Sequence, residues 1–283
     1  MTTQVSISQP VTAPPARRRK HSGVLQWLCI AILAGWAVVA IIGPWITPHH
    51  PDDFIADDAY ASAARSIFGT DYLGRDIFSR LIEGARVTLG MSLAATLLAH
   101  AIGISLGLLA ATRGGVIDML LGRLAELVLS LPKIIVGLVI IAAMGPSFTV
   151  LVTLTGVVYS AAVFRIARSL AADVAVMDYV RVARARGEST AWIVFREILP
   201  NILRPLAADF ALRLSFAMLF ISSLSFLGLG VQPPDADWGA LVRENISALS
   251  QGKLTPIYPA AAIASVTIAL NLLVDQWSSE AAR

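Results

Sequence analysis

The chain has 283 residues, of which 56% are hydrophobic and 14% charged, and its mean hydropathy is +0.71. That balance excludes an ordinary water-soluble domain and places the chain in a bilayer. Its single cysteine, Cys29, excludes an intrachain disulfide and a cysteine-cluster metal site. The net charge of +3 gathers in Arg17-Arg18-Arg19-Lys20 and in one internal loop, a membrane-topology pattern rather than a nucleic-acid footprint.

Residues 1–23, rich in Ser, Thr, Pro and Arg, read as a disordered cytoplasmic tail. The apolar run 24–46 exceeds the ~7–15 residues of a cleavable signal core and suffices to span about 30 Å of hydrocarbon, which predicts a retained first transmembrane helix. Its basic flank puts the N-terminus in the cytoplasm. Residues 47–86 carry Asp52, Asp53, Asp57, Asp58, Asp71 and Asp76 and read as an extracytoplasmic loop. Gly69 and Gly74 within it mimic the spacing of a phosphate-binding loop, but Arg75 and Asp76 stand where lysine and a hydroxyl are needed. The segment reads instead as a turn into a short amphipathic helix that buries Ile77, Phe78, Leu81 and Ile82. His49-His50 is a weak metal motif, because adjacent side chains seldom converge without further ligands.

A five-helix core is expected over 87–280, with spans at Val87–Ala111, Met119–Met144, Phe148–Ala167, Leu206–Leu229 and Ile257–Val274. The fold class is thus an all-α membrane protein of six transmembrane helices, an even count that returns the C-terminus to the cytoplasm. Gly103 and Gly107 form a small-xxx-small pattern for close helix packing, and His100 reads as a hydrogen-bonded packing residue. Asp209 and Arg213 are spaced for an ion pair on one helix face. Lys133 is a candidate for the translocation path, with Glu126 as its partner seven residues earlier.

Residues 168–204 interrupt the apolar spans with the length and pattern of a helix, a break and a second helix. The first helix is expected from Ala171 to Ala185 and ends at Gly187, which takes the left-handed conformation without a Cβ penalty. Ser189 or Thr190 then caps a second helix that stops near Pro200. An interfacial helix whose arginines hold anionic lipid headgroups is the alternative for this segment.

This loop, Asp178-Tyr-Val-Arg-Val-Ala-Arg-Ala-Arg-Gly187 with Ile198-Leu-Pro-Asn201, resembles the cytoplasmic "EAA" loop of permease subunits in bacterial ATP-binding-cassette importers. Two further segments resemble the C-type permeases of dipeptide, oligopeptide and nickel importers. They are Phe68-Gly-Thr-Asp-Tyr-Leu-Gly-Arg-Asp-Ile-Phe-Ser-Arg80 with Gly84-Ala-Arg86, and Leu224-Ser-Phe-Leu-Gly-Leu-Gly230 with Pro233-Pro234 and Trp238-Gly239. Departures from the pattern fall at Val182, Glu197 and Ile221.

The resemblance implies a non-enzymatic permease of the bacterial inner membrane, without cofactor or metal. It would import peptides or related small solutes with ATP hydrolysed on separate chains. It also implies an ATPase-coupling set of Tyr179, Ala183, Ala185, Arg186, Gly187, Glu188, Leu199 and Pro200. The implied partners are a second homologous permease chain, two cytoplasmic ATPase subunits, an extracytoplasmic solute-binding protein and membrane lipid. A nickel-importing permease, an ion-gradient-driven secondary transporter and a membrane scaffold that recruits a soluble enzyme are the alternatives.

Overall fold

The computed structural model describes residues 23–61, 66–233 and 235–281, so the basic cluster Arg17–Lys20 and nearly all of the expected tail lie outside the described residues. Apart from two isolated bridges, Phe54 to Arg75 and Thr70 to Asp76, the regular structure among them is helical. Five helices are long and apolar enough to cross a bilayer, and a bent pair supplies a sixth when counted as one broken span. The first, α1 (Gly23–Ile46), coincides with the expected first span and lies at the periphery.

Expected and observed boundaries differ at four places. The short amphipathic helix and the span from Val87 are a single 37-residue helix, α2 (Ile77–Arg113). Its start is fixed by Asp76, whose carboxylate accepts the backbone N–H groups of Phe78 and Ser79. Gly84 does not interrupt it, because its missing side chain is where Trp238 packs: a Cβ there would lie 2.9 Å from the indole. The expected span from Met119 to Met144 is broken into α3 (Gly115–Ser130) and α4 (Lys133–Met144), bent by 88°. The cause is local: Leu131 precedes Pro132 and is forced into the extended region, at φ −82° and ψ 136°.

Helix α5 (Phe148–Ala175) runs two turns beyond its expected end at Ala167, and the expected helix from Ala171 is cut at Met177. Met177 is extended, and its carbonyl accepts the N–H groups of Val180 and Arg181 to start α6 (Asp178–Ala185). Pro200 does not end the next helix. The chain continues from α7 (Thr190–Ile193) through a π-helical turn (Val194–Ile198) into α8 (Leu199–Leu224) and a further turn (Ser225–Leu229) that is kinked at Gly228, where φ is +88°. The widened turn lets Leu199 bond back to the Val194 carbonyl and makes room within the continuing helix for the ring of Pro200, which has no N–H to donate. A short α9 (Trp238–Glu244), a 3₁₀ turn (Ile246–Gln251) and α10 (Ile257–Ala281) complete the chain.

The centre of the bundle is the pairing of α2 with α5. Gly103 and Gly107 bring the two backbones together: a Cβ would stand 2.6 Å from the Val163 Cβ at the first and 2.8 Å from the Ala167 Cβ at the second. Without a hydrophobic driving force between helices in lipid, such close approach is what makes dispersion contacts dense enough to hold them. Around this seam Met91, Leu151, Val163, Phe220 and Leu224 are buried in one cluster that also ties in α8.

Candidate functional site

The charged segment folds as a helical elbow at the Arg113 end of the bundle. Gly187 has φ +83°, its N–H bonds the Arg184 carbonyl at 3.0 Å, and the Glu188 N–H bonds the Ala183 carbonyl at 3.2 Å. This pair of bonds is the Schellman arrangement, which satisfies the last carbonyls of α6 and needs a residue with positive φ at its hinge. Of the two expected caps, Ser189 is the one used: its hydroxyl accepts the Trp192 N–H at 3.2 Å. Val180 and Ala183 of α6 are buried with Ile193, Ile198 and Ile202, and the cluster continues to Leu108 of α2. The elbow is therefore packed onto the membrane bundle through this cluster.

Burial divides the sequence-predicted coupling residues. Tyr179, Ala185, Arg186, Gly187 and Pro200 are exposed, Glu188 and Leu199 are half-buried, and Ala183 is fully buried. Ala183 therefore anchors the elbow from inside and presents no surface. Arg186 lies 3.6 Å from Glu188 and 5.9 Å from the Trp192 ring centre, which steadies it at the rim. The exposed surface also includes Val176, Met177, Val182 and Phe195, 48–71% exposed, which sequence reasoning missed. The signal was the amphipathic period of α6: with Val180 and Ala183 facing inward, Tyr179 and Val182 must face outward. These apolar side chains and the arginines of α6 together form one exposed face at the end of the bundle.

A second polar group lies within the bundle. Asp209 pairs with Arg213 at 3.1 Å, as the spacing predicts, and His100 of α2 places Nε2 3.4 Å from the other Asp209 oxygen. The His100 Nδ1 lies 3.0 Å from the Thr96 carbonyl, and the ring meets Phe210 edge-on, consistent with a packing role. Lys133 begins α4 at the bend, with Nζ 4.3 Å from the centre of the Tyr159 ring, whose hydroxyl donates to the Phe216 carbonyl. It borders a cavity of about 280 Å³ formed with Val136, Ile140, Leu154 and Val158. Glu126 is not its partner: it pairs with Arg123 at 2.9 Å on the exposed face of α3, on the far side of the bend. A straight helix would have aligned Glu126 with Lys133; the break at Pro132 separates them.

The two motifs at the other end of the bundle meet in space. Arg80, 1% exposed, donates to Asp71 at 2.7 Å and to Glu244 of α9 at 2.9 Å, and Arg75 donates to Asp71 at 2.8 Å. Trp238 donates from its ring to the Leu81 carbonyl and from its backbone to the Thr88 hydroxyl, both at 3.0 Å. The glycine-rich turn thus serves as a buried clamp between the start of α2 and α9. Burial pushes the Asp76 carboxyl up, but the hydroxyls of Ser79 and Ser66 and the backbone N–H groups of Ser79 and Phe78 outweigh it and hold the group below its ordinary range. Asp237, the cap of α9, has the opposite balance: burial pushes it up to about 6 despite the N–H groups of Ala240 and Gly239. His49 lies 3.5 Å from Asp76 while His50 borders a separate cavity, so the histidine pair does not converge.

The comparisons with known proteins agree with this architecture. Residues 103–278 match the model of the family described as binding-protein-dependent transport system inner membrane component. The chain is 33% identical to the di/tripeptide transport system permease protein DppC of Pseudomonas aeruginosa, over 83% of its length and 80% of the relative's. It is 30% identical to the glutathione transport system permease protein GsiD of Pectobacterium atrosepticum, over 91% and 85%, and 32% identical to the dipeptide transport system permease protein DppC of Bacillus subtilis, over 92% and 82%. With its apolar helices, paired sequence motifs and packed elbow, the chain belongs to the family of binding-protein-dependent transport system inner membrane components and is a multi-pass membrane permease.

Proposed function

We propose that this chain is one half of the pore of an ATP-driven importer of peptides or related small solutes, coupled through its elbow to ATPase subunits on separate chains. The observation that carries the reading is the mechanical continuity of the elbow with the pore. From Thr190 to Leu227 the chain stays helical through the π-helical turn at Val194–Ile198 and past Pro205, before a kink at Gly228, so a displacement of the α6–α7 tip passes directly into α8. On the other side α6 is joined to α5 through the single turn at Val176–Met177, which can act as the hinge. Tyr179, Val182, Arg186 and Phe195 form the contact face, while Ala183 and the Gly187 turn keep its shape.

The elbow and both termini face the cytoplasm, with the Asp71–Arg80–Glu244 clamp outside, where a solute-binding protein delivers its load. A second, homologous permease chain completes the pore. Lys133, set by the bend beside a cavity, is the cation that meets the carboxylate of a passing peptide. The names of the relatives, di/tripeptide, dipeptide and glutathione permeases, support the solute class. They also favour ATP-driven import over the ion-gradient alternative, and the separated histidines give nickel no support. The test is co-purification followed by reconstituted uptake. A stoichiometric ATPase and peptide uptake that needs internal ATP and survives an uncoupler are expected; uptake that collapses with the uncoupler while ATP persists overturns the proposal.

A further inference from the structure

Arg86 lies nine residues inside α2, and among the described residues it has neither an ion pair nor a hydrogen-bond partner for its guanidinium. It is exposed, and it borders two cavities at once. One is an apolar groove of about 780 Å³ between α1, α2, α8 and α10, lined by Trp36, Ala40, Trp45, Leu93 and Leu270 among others. The other, of about 330 Å³, is polar and is bordered by Asp52, Glu83 and Asp235. None of these carboxylates is in an ion pair among the described residues, and no set of three metal-ligating side chains converges there.

The depth of Arg86 decides what such a site meets. From Arg86 to Arg113, at the other end of α2, the helix rises about 40 Å, the thickness of a bilayer with its headgroup regions. The two arginines therefore stand at opposite interfaces, and Arg86 is at headgroup level with the apolar groove reaching from it toward the midplane. Trp45, 79% exposed at the same end of α1, sits as an interfacial aromatic does. A cation at that level without a protein partner attracts an anion, and the adjoining carboxylates attract a cation about one headgroup away. An apolar channel, a free guanidinium and free carboxylates in that order are the complement of a zwitterionic lipid.

We propose that this groove is a specific site for a glycerophospholipid with a primary-amine headgroup, of the phosphatidylethanolamine class. One acyl chain lies along the α1–α2 groove, the phosphate pairs with Arg86, and the ammonium donates to Glu83 and its neighbouring carboxylates. A choline headgroup, with no N–H to donate, fits the phosphate end and wastes the acidic end. By filling the gap behind α1, the lipid holds that peripheral helix against α2 and α10.

The test uses the complete importer in detergent, exchanged into an equimolar mixture of phosphatidylethanolamine and phosphatidylcholine with identical acyl chains, with retained lipid read by native mass spectrometry. Wild type is expected to keep phosphatidylethanolamine in several-fold excess. Arg86→Gln should lower total retained phospholipid about tenfold, whereas Glu83→Gln should abolish the headgroup preference with less effect on the total. Gly90 also borders the groove, and a Cβ there would meet nothing within 4 Å, so Gly90→Leu should expel the lipid without disturbing the fold. Equal retention in wild type, Arg86→Gln and Gly90→Leu overturns the proposal. So does efficient crosslinking of a cysteine at Gly90 to the second permease chain, which would make the groove a protein interface.

Discussion

Replacing Gly187 by valine tests whether the elbow transmits force. The residue has φ +83°, and an added Cβ would meet no atom within 4 Å, so the cost of substitution is purely conformational. A non-glycine residue in the left-handed region costs on the order of 1–2 kcal/mol, and a β-branched one adds to that, which gives roughly 2–3 kcal/mol for Gly187→Val. The chain can shed this strain by breaking the Gly187-to-Arg184 and Glu188-to-Ala183 bonds, which unwinds the last turn of α6 and moves Val182 and Arg186 out of register with Tyr179 in the first turn. The buried cluster of α2 and α5 is untouched, so insertion and pairing with the second permease should persist. Proteoliposome uptake should fall by at least tenfold, with ATPase either lost on gel filtration or retained but no longer stimulated by loaded binding protein. Gly187→Asn, which tolerates the left-handed region, should recover most of the loss. Wild-type uptake and wild-type stimulation in Gly187→Val would refute the coupling role and leave the lipid-facing reading of this segment in its place.

Three further perturbations probe the rest of the molecule. Arg80→Gln leaves Asp71 and Glu244 buried with one cation fewer, which should cost about 3–5 kcal/mol; a thermal unfolding shift worth less than ~1 kcal/mol would show that the clamp is dispensable. The Asp237 carboxyl is raised from its ordinary 3.8 to about 6, a gap that corresponds to on the order of 3 kcal/mol. Because the unfolded chain releases this proton first, the contribution is fully present below about pH 4, is lost as pH rises to about 6 and is constant above. Asp237→Asn keeps an acceptor for the α9 cap and should flatten that slope in unfolding midpoints measured from pH 4 to 7; an unchanged slope would assign it to another group. Lys133→Gln should slow peptide uptake several-fold while ATPase binding is kept, and Glu126→Gln should leave uptake unchanged. Equal effects of the two would restore them as a functional pair.

Much of this architecture could be read from local signals alone. Apolar runs located the membrane spans because a bilayer leaves a helix little choice of length. Gly187, Ser189 and Gly103-Gly107 were readable because positive φ, side-chain capping and close backbone approach depend on the residue itself. Tertiary structure decided the rest. Hydropathy passed through Leu131-Pro132 without a change, so the 88° bend that separates Lys133 from Glu126 left no mark in it. Pro200 looked like a stop until a π-helical turn absorbed it. The partner of Arg80 lies 164 residues away on α9, and Ala183 differs from Ala185 only in which side of α6 the bundle covers. Periodicity and caps act within a turn or two of helix, whereas burial, ion-pair choice and exposed faces depend on which helices the fold brings together.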